Sequence, residues 1–135
     1  MKKLSKFGKQ ALLRALPDAG IELVMALKQR LANPEHNVFY NAPLLIFVSG
    51  AKSPFAVNDC SMAALNMMLV GNSLGLGSCW IGTAVVVAND KGVKAKLGVP
   101  EDHEVYAGVI FGYPKGGNMP KTTEKRAPII LNRVD

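Results

Sequence analysis

The most constraining feature of this sequence is an interval from Cys60 to Asn89 that contains no charged side chain. In a chain of 135 residues such an interval must lie in a core, in a membrane or against a partner. Polar residues and glycines interrupt it, namely Asn66, Gly71, Asn72, Ser73 and Gly75. It therefore never reaches the roughly 20 apolar residues that a membrane-spanning helix needs. We predict a buried helix and no membrane association.

The first half of this interval is predicted to be one long helix. Asn58 or Asp59 can cap it, because their side chains accept hydrogen bonds from the free amides of a first turn, and the helix would run to about Leu74. A helix that is apolar all round must be covered on every side, which a short chain achieves most easily as a homodimer. Gly71 and Gly75 are four residues apart, so on one helical face they would let another backbone approach.

The remaining pattern predicts a single mixed α/β domain over residues 1–135, with a central sheet flanked by helices. Apolar runs at 43–49 and 103–113 are typical of buried strands. Asp90 can cap a short helix that ends before Gly98. Residues 85–87 form a short apolar run. Two amphipathic helices are expected at 4–16 and 18–31, and residues 129–134 could be an edge strand or an arm that reaches a neighbour.

The net charge of +6 permits attraction to nucleic acid, but the chain lacks an aromatic stacking pattern and a reading helix. A solvated basic surface is the favoured interpretation, and a nucleic-acid binder is the third and weakest hypothesis. The two cysteines show no zinc spacing, and we predict no metal site. No apolar segment of a signal peptide follows the first lysines, and a reducing cytoplasm is the expected location.

A glycine-rich segment, GLGSCWIG, follows the long helix from Gly75 to Gly82. It is not a dinucleotide fingerprint, because Trp80 replaces the third glycine and the segment follows a helix rather than a strand. From the residues alone, two interpretations stay open. The first is an ordinary glycine end of a helix. The second is a backbone surface against which a flat ligand could lie, because glycine has no Cβ.

Five pieces of the sequence together resemble the FMN-dependent nitroreductase family. They are residues 59–66, the segment GLGSCWIG, Leu97-Gly98-Val99-Pro100-Glu101, Phe111-Gly112-Tyr113-Pro114 and, upstream, Phe39-Tyr40-Asn41-Ala42-Pro43 before an apolar strand. The similarity extends approximately from Asn37 to Arg126. The resemblance implies a homodimer with FMN at the subunit interface, and a nitroreductase-like fold whose long buried helix lies at that interface.

The resemblance also implies the site. The turn formed by Ser78, Cys79, Trp80, Ile81 and Gly82 would lie against the isoalloxazine ring, with backbone amides toward its reactive edge. Lys125 or Arg126 would contact the phosphate, where arginine can donate two hydrogen bonds at once. No residue is expected to be catalytic, because the cofactor carries the chemistry. The implied activity is electron transfer from NAD(P)H to a nitroaromatic, a quinone or a similar acceptor.

One departure from the family concerns the N-terminus. The arginine-rich, serine-containing segment that usually binds the FMN phosphate has no match, and residues 1–10 resemble a later helix of the family. The sequence therefore predicts an N-terminally shortened member. The alternative hypothesis is a non-catalytic remnant of the fold that acts as a dimeric binding or interaction protein.

Overall fold

The computed structural model describes residues 29, 32–33, 35–117 and 126–127. Within them lie six elements, which in chain order are β1 (Leu44–Ala51), α1 (Ala56–Ser73), β2 (Gly77–Trp80), α2 (Gly82–Asn89), α3 (Lys91–Leu97) and β3 (His103–Gly112). The helices expected at 4–16 and 18–31, apart from Gln29, and the strand or arm expected at 129–134 lie outside the described residues. None of the described helices is long and apolar enough to cross a membrane.

The three described strands form one antiparallel sheet in the order β1, β3, β2. β3 is therefore the central strand, and it is the most deeply buried of the three. Both strands expected from the apolar runs are confirmed, within two residues at each end. A bulge interrupts the pairing of β1 with β3, because Val48 pairs with Ala107 whereas Ser49 pairs with Val105.

Helix α1 packs on one face of this sheet. Its buried Ala64 contacts a cluster that contains Ala107, Val109 and Phe111 of β3. The expectation of burial on every side is not met within the single chain. Only four α1 residues are buried, namely Ala56, Cys60, Ala64 and Gly71. Large apolar side chains on the rest of the helix are exposed, namely Val57, Met62, Leu65, Leu69 and Val70.

The C-terminus of α1 ends in a Schellman motif. Gly75 adopts a left-handed φ of 76°. Its amide donates to Asn72 O at 3.0 Å, and the amide of Leu76 donates to Gly71 O at 2.8 Å. Gly75 therefore lies beyond the helix and does not share a helical face with Gly71, contrary to the expectation from their spacing. Gly71 instead makes room for the Phe111 ring, whose Cε1 would lie 2.9 Å from an added Cβ.

Helices α2 and α3 cover the opposite face of the sheet. The apolar run at 85–87 proves to be part of α2, a helix that the sequence pattern did not predict. α3 begins as expected, because Asp90 Oδ1 accepts hydrogen bonds from two amides of its first turn. Gly98 ends α3 with a φ of 70°. Lys94 Nζ then ties α3 to the start of β3 by donating to the carbonyls of Glu101 and His103.

Candidate functional site

The glycine-rich segment is a helix end, a short strand and a helix start rather than one turn. After Gly75 the chain enters β2, which pairs with β3 from Gly77 opposite Gly112 to Trp80 opposite Val109. The amide of Ile81 then donates to Gly108 O at 2.8 Å and extends the ladder by one bond. The backbone of the segment is therefore fixed on its inner side by the central strand.

The register places the side chains of the segment on two faces. Cys79 lies opposite Ile110, on the face of the sheet that packs against α2. Ser78 and Trp80 belong to the other face, because side chains alternate along a strand. Trp80 is 37% exposed, whereas Ile81 is 6% exposed and belongs to the core beneath α2. Ile81 therefore supports the segment, since both its side chain and its amide are engaged by the protein.

A cleft of about 260 Å³ lies beside β2. Its lining, which includes two glycines, comes from β2, β3 and the segment before β1, namely Ala42, Gly77, Ser78, Cys79, Ile110, Phe111 and Gly112. At Gly112 an added Cβ would lie 3.1 Å from Pro43 Cδ, so this glycine keeps the wall of the cleft close to the loop that precedes β1. Of the predicted site residues, the structure brings Ser78 and Cys79 into this cleft.

The start of α2 borders the same segment. Ile81 occupies the N-cap position, and no side chain forms a capping hydrogen bond there. The first amides of an α-helix have no partner within the helix, and the helix dipole places partial positive charge at this end. A Cβ added to Gly82 would meet no atom within 4 Å. Open backbone is therefore available at Gly82, a residue predicted to contact the cofactor.

A loop with unusual backbone angles precedes β1 and leads into the cleft. Tyr40 and Asn41 both adopt left-handed φ angles, 53° and 56°. Asn37 holds them, because its Nδ2 donates to Asn41 Oδ1 at 2.7 Å and its carbonyl accepts from the amide of Tyr40 at 2.9 Å. Ala42, directly after this loop, lines the cleft. Sequence reasoning identified this segment only through the resemblance and gave it no place in the site.

A second cavity, of about 360 Å³, lies on the α1 face. Its lining is apolar apart from Asn66 and comes from β1, the C-terminal half of α1, and β3, with Leu74, Leu76 and Phe111 among its residues. It shares only Phe111 with the first cleft. This cavity opens beside the exposed apolar face of α1.

The two remaining predicted ligands are the proposed phosphate contacts. Lys125 lies outside the described residues, and Arg126 is exposed and does not line the cleft. Cys60 lies on the buried side of α1, and burial together with the nearby Asp59 carboxylate raises the pKa of its thiol. Cys79 is exposed, and its Sγ lies 3.6 Å from Trp80 O.

Two curated proteins are similar to part of this chain. A provisionally named NADH dehydrogenase/NAD(P)H nitroreductase from Archaeoglobus fulgidus is 41% identical over 59 residues, which cover 44% of this chain and 34% of that protein. A protein of the same name from Methanothermobacter thermautotrophicus is 35% identical over 79 residues, covering 55% of this chain and 41% of that protein. The matched region thus spans about a third to two fifths of these relatives.

Among solved structures, a nitroreductase with bound FMN from Bacteroides fragilis superimposes with a TM-score of 0.73 at 32% identity. The match covers 97% of this chain and 71% of that chain. The sequence profile of the nitroreductase family matches residues 2–113 and so begins well before Asn37, where we expected the similarity to start. Because the family profile matches most of the sequence and the fold is that of the family, the chain belongs to the nitroreductase family.

Proposed function

We propose that this chain is the FMN-binding unit of an oxidoreductase that passes electrons from NAD(P)H to a nitroaromatic, a quinone or a similar acceptor. The observation that carries the proposal is the open backbone at Gly82, at the uncapped start of α2 and next to a glycine-lined cleft. The names of the relatives and the FMN bound in the similar structure support the same cofactor and donor.

The residues present fit the ring of a flavin. A flat ring needs a surface without protruding Cβ atoms and hydrogen-bond donors at its polar edge. Gly77 and Gly112 supply the first, and the first amides of α2 supply the second. The cleft is smaller than the roughly 300–1,000 Å³ that is usual for a whole ligand site. This size suits one wall of a site whose other wall comes from elsewhere.

Bound FMN would supply the redox chemistry by accepting a hydride from the reduced nicotinamide and releasing electrons to the acceptor. The chain would contribute position and electrostatics. Amides at the start of α2, with the dipole of that helix, favour electron density that accumulates on a neighbouring acceptor atom. Core residues such as Ile81 hold this backbone still. Phosphate binding by Lys125 or Arg126 remains a prediction.

A homodimer is part of the proposal, with α1 at its interface. Met62, Leu65 and Leu69 lie at helical spacing on one exposed face of α1 and are between 54% and 60% exposed. A contiguous exposed apolar face of this kind marks an interaction surface. A second copy would cover this face.

Sedimentation velocity tests the dimer. We expect the wild-type chain to sediment as a dimer and Leu65→Glu to sediment as a monomer, because a charge would have to be buried in the interface. Leu97→Glu is the matched control, since Leu97 is an exposed leucine at the end of α3, on the other side of the sheet. A monomeric wild-type protein would contradict the dimer.

Flavin titration tests the cofactor. We expect purified protein to bind FMN and Gly82→Leu to lose that binding without unfolding, because the new side chain enters open space at the start of α2. Gly92→Leu is the control, since it places the same side chain in the exposed first turn of α3. Equal FMN affinity in both variants would refute the placement of the ring.

Nicotinamide oxidation separates the enzyme from the non-catalytic alternative. With FMN and a nitroaromatic or quinone acceptor, we expect NADH or NADPH to be oxidised faster than with free FMN alone. Gly82→Leu should fall to the rate of free FMN. A wild-type rate no higher than that of free FMN would identify the chain as a binding or interaction protein of the same fold.

A further inference from the structure

We propose that Gly108, in the middle of β3, is a positioning residue that sets the height of the first turn of α2 above the sheet and thereby the place of the Gly82 backbone. This inference rests on the proposed function, because it concerns the wall of the flavin site. Gly108 lies outside the segment that resembles a flavin contact, and it acts through Ile81 and Ala84.

Gly108 engages the start of α2 in two ways. Its carbonyl accepts a hydrogen bond from the amide of Ile81 at 2.8 Å. On its other side, an added Cβ would lie only 2.7 Å from the Cβ of Ala84. Ala84 is fully buried, and its own amide donates to Ile81 O at 2.9 Å. The three residues therefore form one unit in which the helix start rests directly on the strand.

A methyl group at position 108 could not be absorbed by a side-chain movement. Ala84 has no rotamer to change, because its Cβ is attached directly to the helix backbone. Phe47 of β1 closes the other side, with ring carbons 3.4 Å from the added Cβ. Carbon atoms in contact are separated by about 3.5–4.0 Å, so the first turn of α2 must rise by roughly 1 Å.

The displacement would be concentrated at the cleft. At the far end of α2, Asn89 Nδ2 donates to Val105 O at 2.7 Å and Asn89 Oδ1 accepts from Val105 N at 2.9 Å. This end stays attached to β3, so the helix tilts and its N-terminal turn moves most. Shifts of about 1 Å in a positioned group reduce binding and catalysis by up to about a hundredfold.

The experiment compares the wild-type protein with Gly108→Ala, Ala84→Gly and the double variant. Gly50→Ala is the matched control, because it adds the same methyl group to a strand glycine of β1, at 3.4 Å from Cys60 Sγ and away from α2. Titration with FMN measures affinity. The emission maximum of Trp80, the only tryptophan, reports the position of the segment without any flavin. Circular dichroism measures folding.

We expect Gly108→Ala to weaken FMN binding about tenfold or more and to shift the Trp80 emission. In the double variant the Ala84 methyl group is absent, so the FMN affinity and the Trp80 emission should return to near the wild-type values. The effects of the two substitutions are then not additive, as is expected for residues in contact. If Gly108→Ala acted only by lowering the free energy of unfolding, Ala84→Gly would lower it further, because glycine is unfavourable within a helix. Gly50→Ala should match the wild-type protein in both measurements.

Three results would overturn the proposal. One is a folded Gly108→Ala protein with wild-type FMN affinity and wild-type Trp80 emission. Another is a folded double variant that keeps the defects of Gly108→Ala. The third is failure of both variants to fold, since relief of the contact would then have restored nothing. If the wild-type protein itself binds no FMN, the proposed function fails, and rescue of the Trp80 emission still decides the role of Gly108.

Discussion

Asn89→Ala should be among the most destabilising single changes to a polar residue in this fold. Asn89 lies at the end of α2, and its side chain forms two hydrogen bonds with the backbone of Val105, at 2.7 and 2.9 Å. Val105 is fully buried and lies beside the bulge of the sheet, where the pairing of β1 with β3 shifts by one residue. Asn89 therefore satisfies backbone groups at the place where the ladder is interrupted.

The magnitude follows from these two bonds. Each contributes about 0.5–1.5 kcal/mol, and a buried group left without a partner costs about 1–3 kcal/mol. Water can reach part of the site once the side chain is gone, which lowers the upper limit. We expect the free energy of unfolding to fall by about 2–3 kcal/mol. With a urea m-value of about 1–3 kcal/mol/M, the midpoint should fall by about 0.7–3 M.

Urea denaturation at one fixed protein concentration measures this change, and Asn58→Ala is its control. Asn58 is an exposed asparagine on α1, so its replacement should change the free energy of unfolding by no more than about 0.5 kcal/mol. Asn89→Asp keeps the acceptor for Val105 N and loses the donor to Val105 O, and it should fall between wild type and Asn89→Ala. Equal stability of Asn89→Ala and Asn58→Ala would refute the argument.

Four further outcomes are expected. Asp90→Ala removes the cap of α3 and should cost about 1 kcal/mol in thermal or urea unfolding, whereas Asp90→Ser should retain most of it. Gly71→Ala should destabilise the protein despite its better helix propensity, because the added Cβ would lie 2.9 Å from the Phe111 ring, and Phe111→Leu should relieve part of the cost. The raised pKa of Cys60 means that the folded state holds the thiol proton more tightly than the unfolded state, so stability should fall as the pH rises above about 9.0, and Cys60→Ala should flatten this slope. In the wild-type protein a thiol reagent should label the exposed Cys79 before the buried Cys60, and Cys79→Ser should remove that fast phase.

The elements that the sequence predicted are those with clear local signals at both ends. β1 follows Pro43, and α3 has Asp90 before it and Gly98 after it. Asp90 caps α3 with its side chain and Gly98 ends α3 with a left-handed φ, as the pattern implies. The long helix was also predicted, although Phe55 occupies its N-cap position, so the helix starts before Asn58 and Asp59.

The missed elements, β2 and α2, have local signals that conflict with their tertiary structure. β2 has four residues and starts with Gly77, and its strand conformation depends on pairing with β3. α2 is apolar on all sides and contains Val85, Val86 and Val87, which favour strands. Periodicity alone does not distinguish such a run from a strand. Contact with Gly108, a residue far away in sequence, is what gives the helix its place.

The candidate site also contains residues that the sequence indicated and residues that it missed. The resemblance of the glycine-rich segment to the family indicated Ser78, Cys79 and Gly82, because that segment is continuous in sequence. Gly108 and Gly112 were not, although a glycine inside a strand pattern often marks the close approach of another backbone or a ligand. What each glycine makes room for, Ala84 in one case and Pro43 in the other, depends on the register of the sheet.

Different parts of the interval from Cys60 to Asn89 lack charged residues for different reasons. The inner face of α1 lacks charge because it contacts β3, and α2 lacks charge because it rests on the opposite face of the same sheet. Charge is present again at Asp90, which caps α3. Packing among the described residues gives no such reason for the outer face of α1, where Leu65 and Leu69 are more than half exposed. A sequence that keeps this face apolar while other exposed positions of the described chain carry Lys52, Lys91, Lys96 and Lys115 indicates a second covering surface, and the proposed dimer would provide it.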